Sequence, residues 1–432
     1  MWTTRFSLSF PQIIQNRPLH KIRQIFQSNR AFFGFCTVST SLITKSKNNI
    51  FCYLFFLKFE RWVIVMKVSV NRELLSEALS NLQRAVTPRS SLPILEGVLL
   101  SAEPDKLTLM AYNMEISMKK ELPVRCTAVG DVVISAKILF EIIRRVKGDM
   151  IDIETDDRLV CHIRCGASSF DIMGMDAADF PEMPNVAEKE SITLSSELLK
   201  DMVRQTVFAA SQIEGTRPVL TGINFEIREN EIRLVAIDGN RMAIRKAKIQ
   251  HNGELSFIVS GRAIGEAVKI IGDKDEDIMI QIGNRNISFD IDGYVMTSRL
   301  LEGKYIEYER SIPDSFSQEI KVRVDDIVDI IERIALVIVS DQTKSPIRCS
   351  LERDKITFTC SSAVGRATDF CPIELQGNEF EIGFNSKFLL DALKASECEE
   401  VYIRFNGAAA AAVISPVDSD EFLYLVLPMI LK

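Results

Sequence analysis

The chain has 432 residues and a formal net charge of −7, and its length admits three domains of ordinary size. The charge is unevenly held: residues 1–65 carry nine Lys/Arg against the single acid Glu60, which leaves the remainder near −15. Past residue 65 the seven cysteines are scattered and odd in number, which excludes a disulfide framework and suits a reducing cytoplasm.

Residues 1–65 form a leader unlike the rest. It holds both tryptophans, Trp2 and Trp62, and ten of the 25 phenylalanines. The apolar run Ile50 to Leu57 is cut by Lys58, Glu60 and Arg61, well short of the ~20 residues a membrane-spanning helix needs. Two readings stand. The acid-poor, Arg- and Ser-containing text matches an organellar transit peptide; alternatively Met66 is the true start, and the Phe-, Ile-, Lys- and Asn-rich stretch before it is translated AT-rich DNA. An ordered element in its own right ranks last, and the leader is set aside in reading the fold.

From Met66 onward one pattern is stated three times. Val132-Val133-Ile134-Ser135 precedes a helical stretch to Val146; Phe257-Ile258-Val259-Ser260 precedes another to Ile271; Glu381-Ile382-Gly383-Phe384-Asn385 precedes a third to Ala395. The markers Ser135, Ser260 and Asn385 are spaced at 125 residues. An earlier strand-into-helix unit repeats beside it, ending at Asn71, Ser195 and Asp325. A period this long exceeds the roughly 20–50 residues of a solenoid and indicates domain triplication.

Each repeat reads as strand, helix, three strands, then strand, helix, three strands. In the first, Lys67 to Val70 is an alternating strand. Arg72 to Val86 follows as a helix with Leu74, Leu75, Ala78, Leu79, Leu82 and Val86 on one buried face. Strands are expected at 95–102, 106–111 and 115–122, a further strand at Val132, a helix near 138–146, and strands at 151–154, 158–164 and 168–173. The fold class is therefore α+β, with two helices packed on antiparallel sheet in each of three tandem domains, 66–189, 190–313 and 314–432. Linkers fall at Glu188-Lys189 and Pro313 to Ser317. The helices display Lys137, Arg144, Arg145, Lys147, Lys200, Arg204, Arg262, Lys269, Arg333, Lys387 and Lys394 in an otherwise acidic body, which suggests a phosphate-attracting face backed by a repelling one.

Catalytic chemistry finds little footing. His162 and His251 stand beside no nucleophile, and neither phosphate-binding glycine motif occurs. In Cys161-His162-x-x-Cys165 a strand would put the cysteines on one face and the histidine on the other, so no metal site is expected. Asp238 before Gly239 reads as a turn carboxylate.

The ordered set Met66-Lys67-Val68-Ser69-Val70, Ser91-Leu92-Pro93-Ile94-Leu95, Ala177-Ala178-Asp179-Phe180-Pro181, Ile237-Asp238-Gly239-Asn240-Arg241-Met242-Ala243, Glu381 to Asn385 and Leu427-Pro428-Met429 resembles the bacterial sliding clamp, the β subunit of the replicative DNA polymerase (DNA polymerase III). The likeness spans Met66 to the end. It implies a non-catalytic processivity factor without cofactors, acting in the bacterial cytoplasm. Three tandem DNA-clamp domains would form a head-to-tail homodimer ring on double-stranded DNA, with helices lining the hole. The residues placed facing the duplex are Arg89, Lys137, Arg144, Arg204, Arg262 and Lys269.

The resemblance also implies a groove between the second and third domains. There the DNA polymerase III α subunit, the clamp-loader δ subunit and other proteins carrying clamp-binding peptides would dock. Carried over by position, its wall is Arg217, Leu220, Ile237, Gly239, Asn240, Arg241, Met242, Pro313, Ala411, Leu425, Leu427, Pro428 and Met429. The chain departs from the family where Ile237 and Asn240 replace a usual Thr and His, and where Ile430 replaces a usual base. At the subunit junction, Ser168 to Met175, with Phe170 and Ile172, would pair with a third-domain edge at Ile347 to Leu351, and Arg164 would face Asp326, Asp329 or Glu332. The competing reading is a triplicated scaffold that binds partner peptides without DNA.

Overall fold

The computed structural model describes residues 65–187, 190–212, 215, 217–338 and 345–431; residues 1–64 of the leader and the Glu188-Lys189 linker lie outside the described residues. The first domain runs β1 (Met66–Asn71), α1 (Arg72–Leu82), β2 (Gly97–Ala102), β3 (Lys106–Tyr112), β4 (Ile116–Ala128), β5 (Gly130–Ser135), α2 (Ala136–Arg145), β6 (Met150–Thr155), β7 (Val160–Cys165) and β8 (Ser168–Met173). The second repeats that order: β9 (Glu190–Ser195), α3 (Ser196–Arg204), β10 (Gly222–Arg228), β11 (Glu231–Ile237), β12 (Arg241–Lys248), β13 (Leu255–Ser260), α4 (Gly261–Ala267), β14 (Asp277–Ile282), β15 (Asn286–Ile291) and β16 (Tyr294–Arg299). So does the third: β17 (Gln318–Arg323), α5 (Val324–Ala335), β18 (Ile347–Leu351), β19 (Lys355–Ser361), β20 (Arg366–Pro372), β21 (Phe380–Phe384), α6 (Ser386–Ser396), β22 (Glu400–Phe405), β23 (Ala412–Pro416) and β24 (Phe422–Val426). The expected α+β triplication is what the chain adopts.

The recurring sequence markers have a local cause. Each sits where a strand turns into a helix, and at most of them a short polar side chain satisfies the helix's first unpaired N–H groups, although Ser135 precedes α2 without a side-chain cap. The Asn71 carboxamide oxygen accepts from the Glu73 and Leu74 amides at 2.9 and 3.1 Å, and the Ser195 hydroxyl accepts from Leu198 N at 3.2 Å. Ser260 and Asn385 cap α4 and α6 in the same way. The third domain departs from this: the cap position is Arg323, two residues before the expected Asp325, and Asp325 and Asp326 occupy the first turn instead. Carboxylates in that turn complement the helix dipole, so the helix starts without a side-chain cap.

Helix α1 buries Leu75, Ala78, Leu79 and Leu82, and burial of each leucine contributes roughly 1.5–3 kcal/mol. Leu74, expected on that stripe, is 41% exposed; at i−1 from Leu75 it is turned about 100° off the buried face. The α-helix ends at Leu82 and tightens into a 3-10 turn over Gln83–Ala85.

Two sheets cross the domain seams. The long strand β4 pairs with β16 of the second domain, from Ile116↔Ser298 to Lys120↔Tyr294. Strand β12 pairs with β24 of the third domain, from Arg241↔Val426 to Arg245↔Phe422. Both seams therefore join the same two strands of the repeat, antiparallel and over five residue pairs. The two strands this rule leaves over, β8 in the first domain and β20 in the third, each lie at an end of their sheet.

Candidate functional site

The helices carry the cations expected of them, but most of those cations already hold a carboxylate. Arg144 Nη2 lies 3.1 Å from Glu141, Arg204 bridges Asp201 and Glu397, Arg262 reaches Glu115 of the first domain at 3.2 Å, and Lys269 meets Glu266 at 2.6 Å. Arg89 and Lys137 make no ion pair among the described residues and flank one cleft in the first domain. Arg89 also adopts φ +60°, a left-handed conformation that a non-glycine side chain pays roughly 1–2 kcal/mol to hold. Glu96 pins that loop by accepting from Ser90 N at 3.0 Å. Helix α5 is not cationic: Asp325, Asp326, Asp329 and Glu332 are exposed on it beside Arg333, whose guanidinium is taken by Asp369 at 2.8 Å and holds that carboxyl below its usual range.

The seam between the second and third domains has two faces of different chemistry. Side chains alternate along β12, so Met242 and Ile244 point to the outer face while Arg241 and Ala243 point to the helices. On the outer face Ile237, Met242 and Leu425 form one cluster with Val219, Val413, Tyr305 and Tyr308, and Leu220 and Ala411 pack at its margin. The 301–316 segment covers part of it, fixed by Tyr308, whose hydroxyl donates to Glu226 at 2.8 Å. Pro313 lies on that same segment, half-buried, and Arg217 is exposed at the start of the turn that carries Val219 and Leu220.

The rim is set by the chain terminus. Leu427 N donates to Asn240 O, and Met429 N to Gly383 O, each at 2.8 Å. Gly383 allows that approach, because a Cβ there would come within 2.8 Å of the Met429 backbone oxygen. Leu427 and Ile430 stay exposed, with Pro428 and Met429 half-buried. The Asp238 carboxylate accepts from Asn240 N at 2.9 Å and Arg241 N at 3.1 Å, as a turn carboxylate should, and Gly239 takes φ +90° with open space where a side chain would stand.

Arg241 does not belong to the groove wall. Its side chain lies on the opposite face, 8% exposed, donating to Asp238 at 2.9 Å and Asp391 at 2.6 Å with its guanidinium 4.5 Å from the Phe388 ring centre. Conversely, Tyr305, Ile306, Ile312, Phe316 and Val413 line or floor the outer cluster and escape a motif-based reading; the alternation of Val235 and Ile237 on β11 was the signal for that face.

The expected subunit edge also differs. Strand β18, with Ile347, is paired on both sides, by β19 and β21, and Ile347 is fully buried, so it has no free edge to offer. The terminal strands of that sheet are β20 and β21, and β21 is met by the chain terminus at the Gly383–Met429 bridge, which leaves β20. On the first domain β8 is open as expected, with Phe170 38% exposed, Ile172 half-buried, and Ser168 at its start; Arg164 is exposed on neighbouring β7. Asp326 is exposed and 4.0 Å from Arg323. Cys161 and Cys165 are buried on one face of β7, while His162 projects from the other to Asp171 at 2.6 Å.

A chain of three copies of one domain, joined edge to edge through equivalent strands and open at both ends, is built to be extended by another such chain. Known proteins supply the family. The DNA polymerase III beta subunit N-terminal, central and C-terminal domains match residues 66–184, 193–307 and 309–430. The beta sliding clamp of Staphylococcus epidermidis is 31% identical over 376 residues, covering 84% of this chain and 99% of that protein; that of Halalkalibacterium halodurans is 31% identical over 379 residues. Among solved structures, a DNA polymerase III beta subunit from Eubacterium rectale superposes with a TM-score of 0.81 at 31% identity, over 84% of this chain and 99% of that one. The sliding clamp of Bacillus subtilis gives 0.81 at 28% identity, over 85% and 100%. The chain belongs to the DNA polymerase III beta subunit family, the sliding clamps, whose members are non-catalytic processivity subunits.

Proposed function

We propose that two copies of this chain close head to tail into a ring around duplex DNA and slide along it in the bacterial cytoplasm. On that ring the DNA polymerase III α subunit, the clamp-loader δ subunit and other peptide-bearing partners are tethered through the outer groove at Leu220, Ile237, Met242, Leu425 and Leu427. The observation that carries the reading is the repeated seam: β4 with β16 and β12 with β24 use the same two strands, and β20 and β8 remain to complete the set between two chains. A tether that encloses its DNA needs no tight grip or base readout, and a sparse lining of Arg89 and Lys137 with partly neutralised neighbours suits weak, salt-screened phosphate contact. Leu, Ile and Met side chains around the groove suit an apolar peptide anchor of leucine and phenylalanine type. Sedimentation velocity with nicked circular duplex DNA tests the reading. A dimer that stays on closed circles and is lost on linearisation is expected; a monomer, or binding indifferent to DNA ends, would leave a triplicated scaffold.

A further inference from the structure

The groove rim at the second seam has a counterpart at the first, built from the same positions of the repeat but different in chemistry. The hairpins closed by Tyr112↔Ser117 and Ile237↔Met242 are equivalent, so Met114 and Glu115 stand where Gly239 and Asn240 do. Their turns agree in detail. The Asn113 carboxamide oxygen accepts from Glu115 N at 3.1 Å and Ile116 N at 2.7 Å, as Asp238 accepts from Asn240 and Arg241. Across the seam Ser117 faces Thr297 as Met242 faces Leu425, which sets Arg299 in the place of Leu427. Leu301 N donates to Ile258 O at 2.9 Å as Met429 N does to Gly383 O, which sets Glu302 in the place of Ile430. Arg285, whose backbone oxygen accepts from Leu300 N at 2.8 Å, lies one repeat period before Ala410. Where the second seam has leucine and alanine, the first therefore has two arginines.

Between these parts opens a cleft of about 790 Å³, within the ~300–1,000 Å³ usual for ligand sites. Met114, Pro218, Leu300 and Leu301 supply its apolar lining, and Arg285 and Arg299 its unclaimed cations. Both arginines are exposed, and neither side chain makes an ion pair or hydrogen bond among the described residues. The acids at hand do not quench them. Glu115 accepts from Ser260 at 2.9 Å through one carboxylate oxygen and from Arg262 at 3.2 Å through the other. Glu302, also exposed on the cleft, holds neither arginine.

Met114 adds a second, independent sign of use. It holds φ +72°, a left-handed conformation that disfavours a side chain, at the turn position that the second domain gives to Gly239 at φ +90°. A glycine would relieve that strain, yet a large apolar side chain stands there, 52% exposed, on the wall of the cleft. Strain of this kind collects where a side chain is needed for contact with a ligand.

We infer that the first-seam cleft is a second docking site, for a partner segment in which Asp or Glu alternates with leucine-like residues. Arg285 and Arg299 take the carboxylates, and Met114 and Leu300 receive the apolar groups. The site goes beyond the ring reading and needs only one chain, because the seam that forms it lies within the protomer. Glu302 opposes any anion, so the contact is made through the directed, bidentate hydrogen bonds of the guanidiniums rather than a general positive field. That suits carboxylates fixed on a peptide and not a duplex, whose phosphates call for a continuous cationic track. One protomer then offers two grooves of unlike chemistry, one apolar and one demanding acids, and two segments bind it without competing.

The probe is a fluorescein-labelled peptide alternating Glu and Leu, titrated into the full chain at low salt and read by anisotropy. Saturable binding is expected, unaffected by a saturating clamp-binding peptide or by deletion from Leu427 onward, and lost when Gln replaces Glu in the probe. Arg285→Glu with Arg299→Glu should weaken it at least ~10-fold. Arg285→Gln with Arg299→Gln, which introduces no repulsion, should weaken it in the same direction. Met114→Gly should weaken it too while leaving the protomer's melting no lower, since glycine suits that turn. No saturable binding, undiminished affinity in both arginine variants, or displacement by the clamp-binding peptide would overturn the site. So would arginine variants that keep the probe but lose retention on nicked circular DNA, which would give the two cations to the duplex. A parent chain that is monomeric yet binds the probe in this way would remove the ring and leave the second site standing.

Discussion

Arg241 Nη1 lies 2.6 Å from Asp391 Oδ2 across the seam between the second and third domains, and the same guanidinium holds Asp238 at 2.9 Å. The arginine comes from strand β12 and its distant acid from helix α6, so one buried cation fastens two domains and one tight turn at once. Removing it leaves two carboxylates short of a partner. Arg241→Met should cost about 3 kcal/mol, the lower end of the range for breaking a buried pair because Asp391 retains some water. Thermal unfolding is the measure, and adding Asp391→Leu should recover part of the deficit. If Arg241→Met instead left melting unchanged and abolished peptide binding, the arginine would belong to the groove after all.

The first seam has a counterpart that responds to acid. Glu266 sits between Lys269 at 2.6 Å and Arg84 at 3.3 Å. Burial works to raise its pKa, but the two cations outweigh it and hold the carboxyl below its ordinary 4.5. A lowered folded-state pKa means the stabilisation is complete above that ordinary value and is lost as pH falls through the folded one. Melting temperature should therefore fall on acidification below about pH 4.5, and Glu266→Gln should have the shallower acid arm. Parallel curves for the two proteins would assign the acid sensitivity elsewhere.

Deleting the chain from Leu427 onward should abolish binding of a partner peptide while leaving the dimer. The deletion removes the exposed Leu427 and the strand-like hydrogen bonds to Asn240 and Gly383 that shape the rim, whereas β8 and β20 lie elsewhere. Fluorescence anisotropy of a labelled clamp-binding peptide, read beside sedimentation of the same sample, separates the two effects. Undiminished affinity would place the docking site away from the terminus.

What was legible in sequence was what repeats. Ser260 and Asn385 announced strand-to-helix corners because their side chains cap the helices that follow, and Ser135 marked the third corner by its spacing alone. Ile237, Met242 and Leu425 were placed together only by the resemblance, since they lie on three different strands. What stayed hidden was whatever depends on which strand lies beside which. Ile347 reads as an edge as well as Arg366 does until pairing shows β18 enclosed and β20 open. Arg241 looks like a groove residue until the register turns it inward, since one step along a strand reverses the face. Pairing of cations with nearby acids is similarly invisible: Arg262 finds its partner, Glu115, 147 residues away in another domain.

The Arg262–Glu115 pair separates two kinds of charge reversal. Arg89→Glu with Lys137→Glu removes cations that hold no carboxylate among the described residues, so the protomer's melting should be unchanged while retention on nicked circular DNA falls. The slope of log affinity against log salt should shrink by about 0.9 for each phosphate that the variant no longer neutralises. Arg262→Glu sets its new charge against Glu115 across the first seam, where Ser260 also donates to that carboxylate at 2.9 Å, and should lower the melting temperature. Because Lys137 lines the same cleft as Phe170 of the open strand β8, dimer strength must be read in the same samples. Weakened retention with an intact dimer assigns Arg89 and Lys137 to the duplex, and full retention would mean that the DNA passes elsewhere.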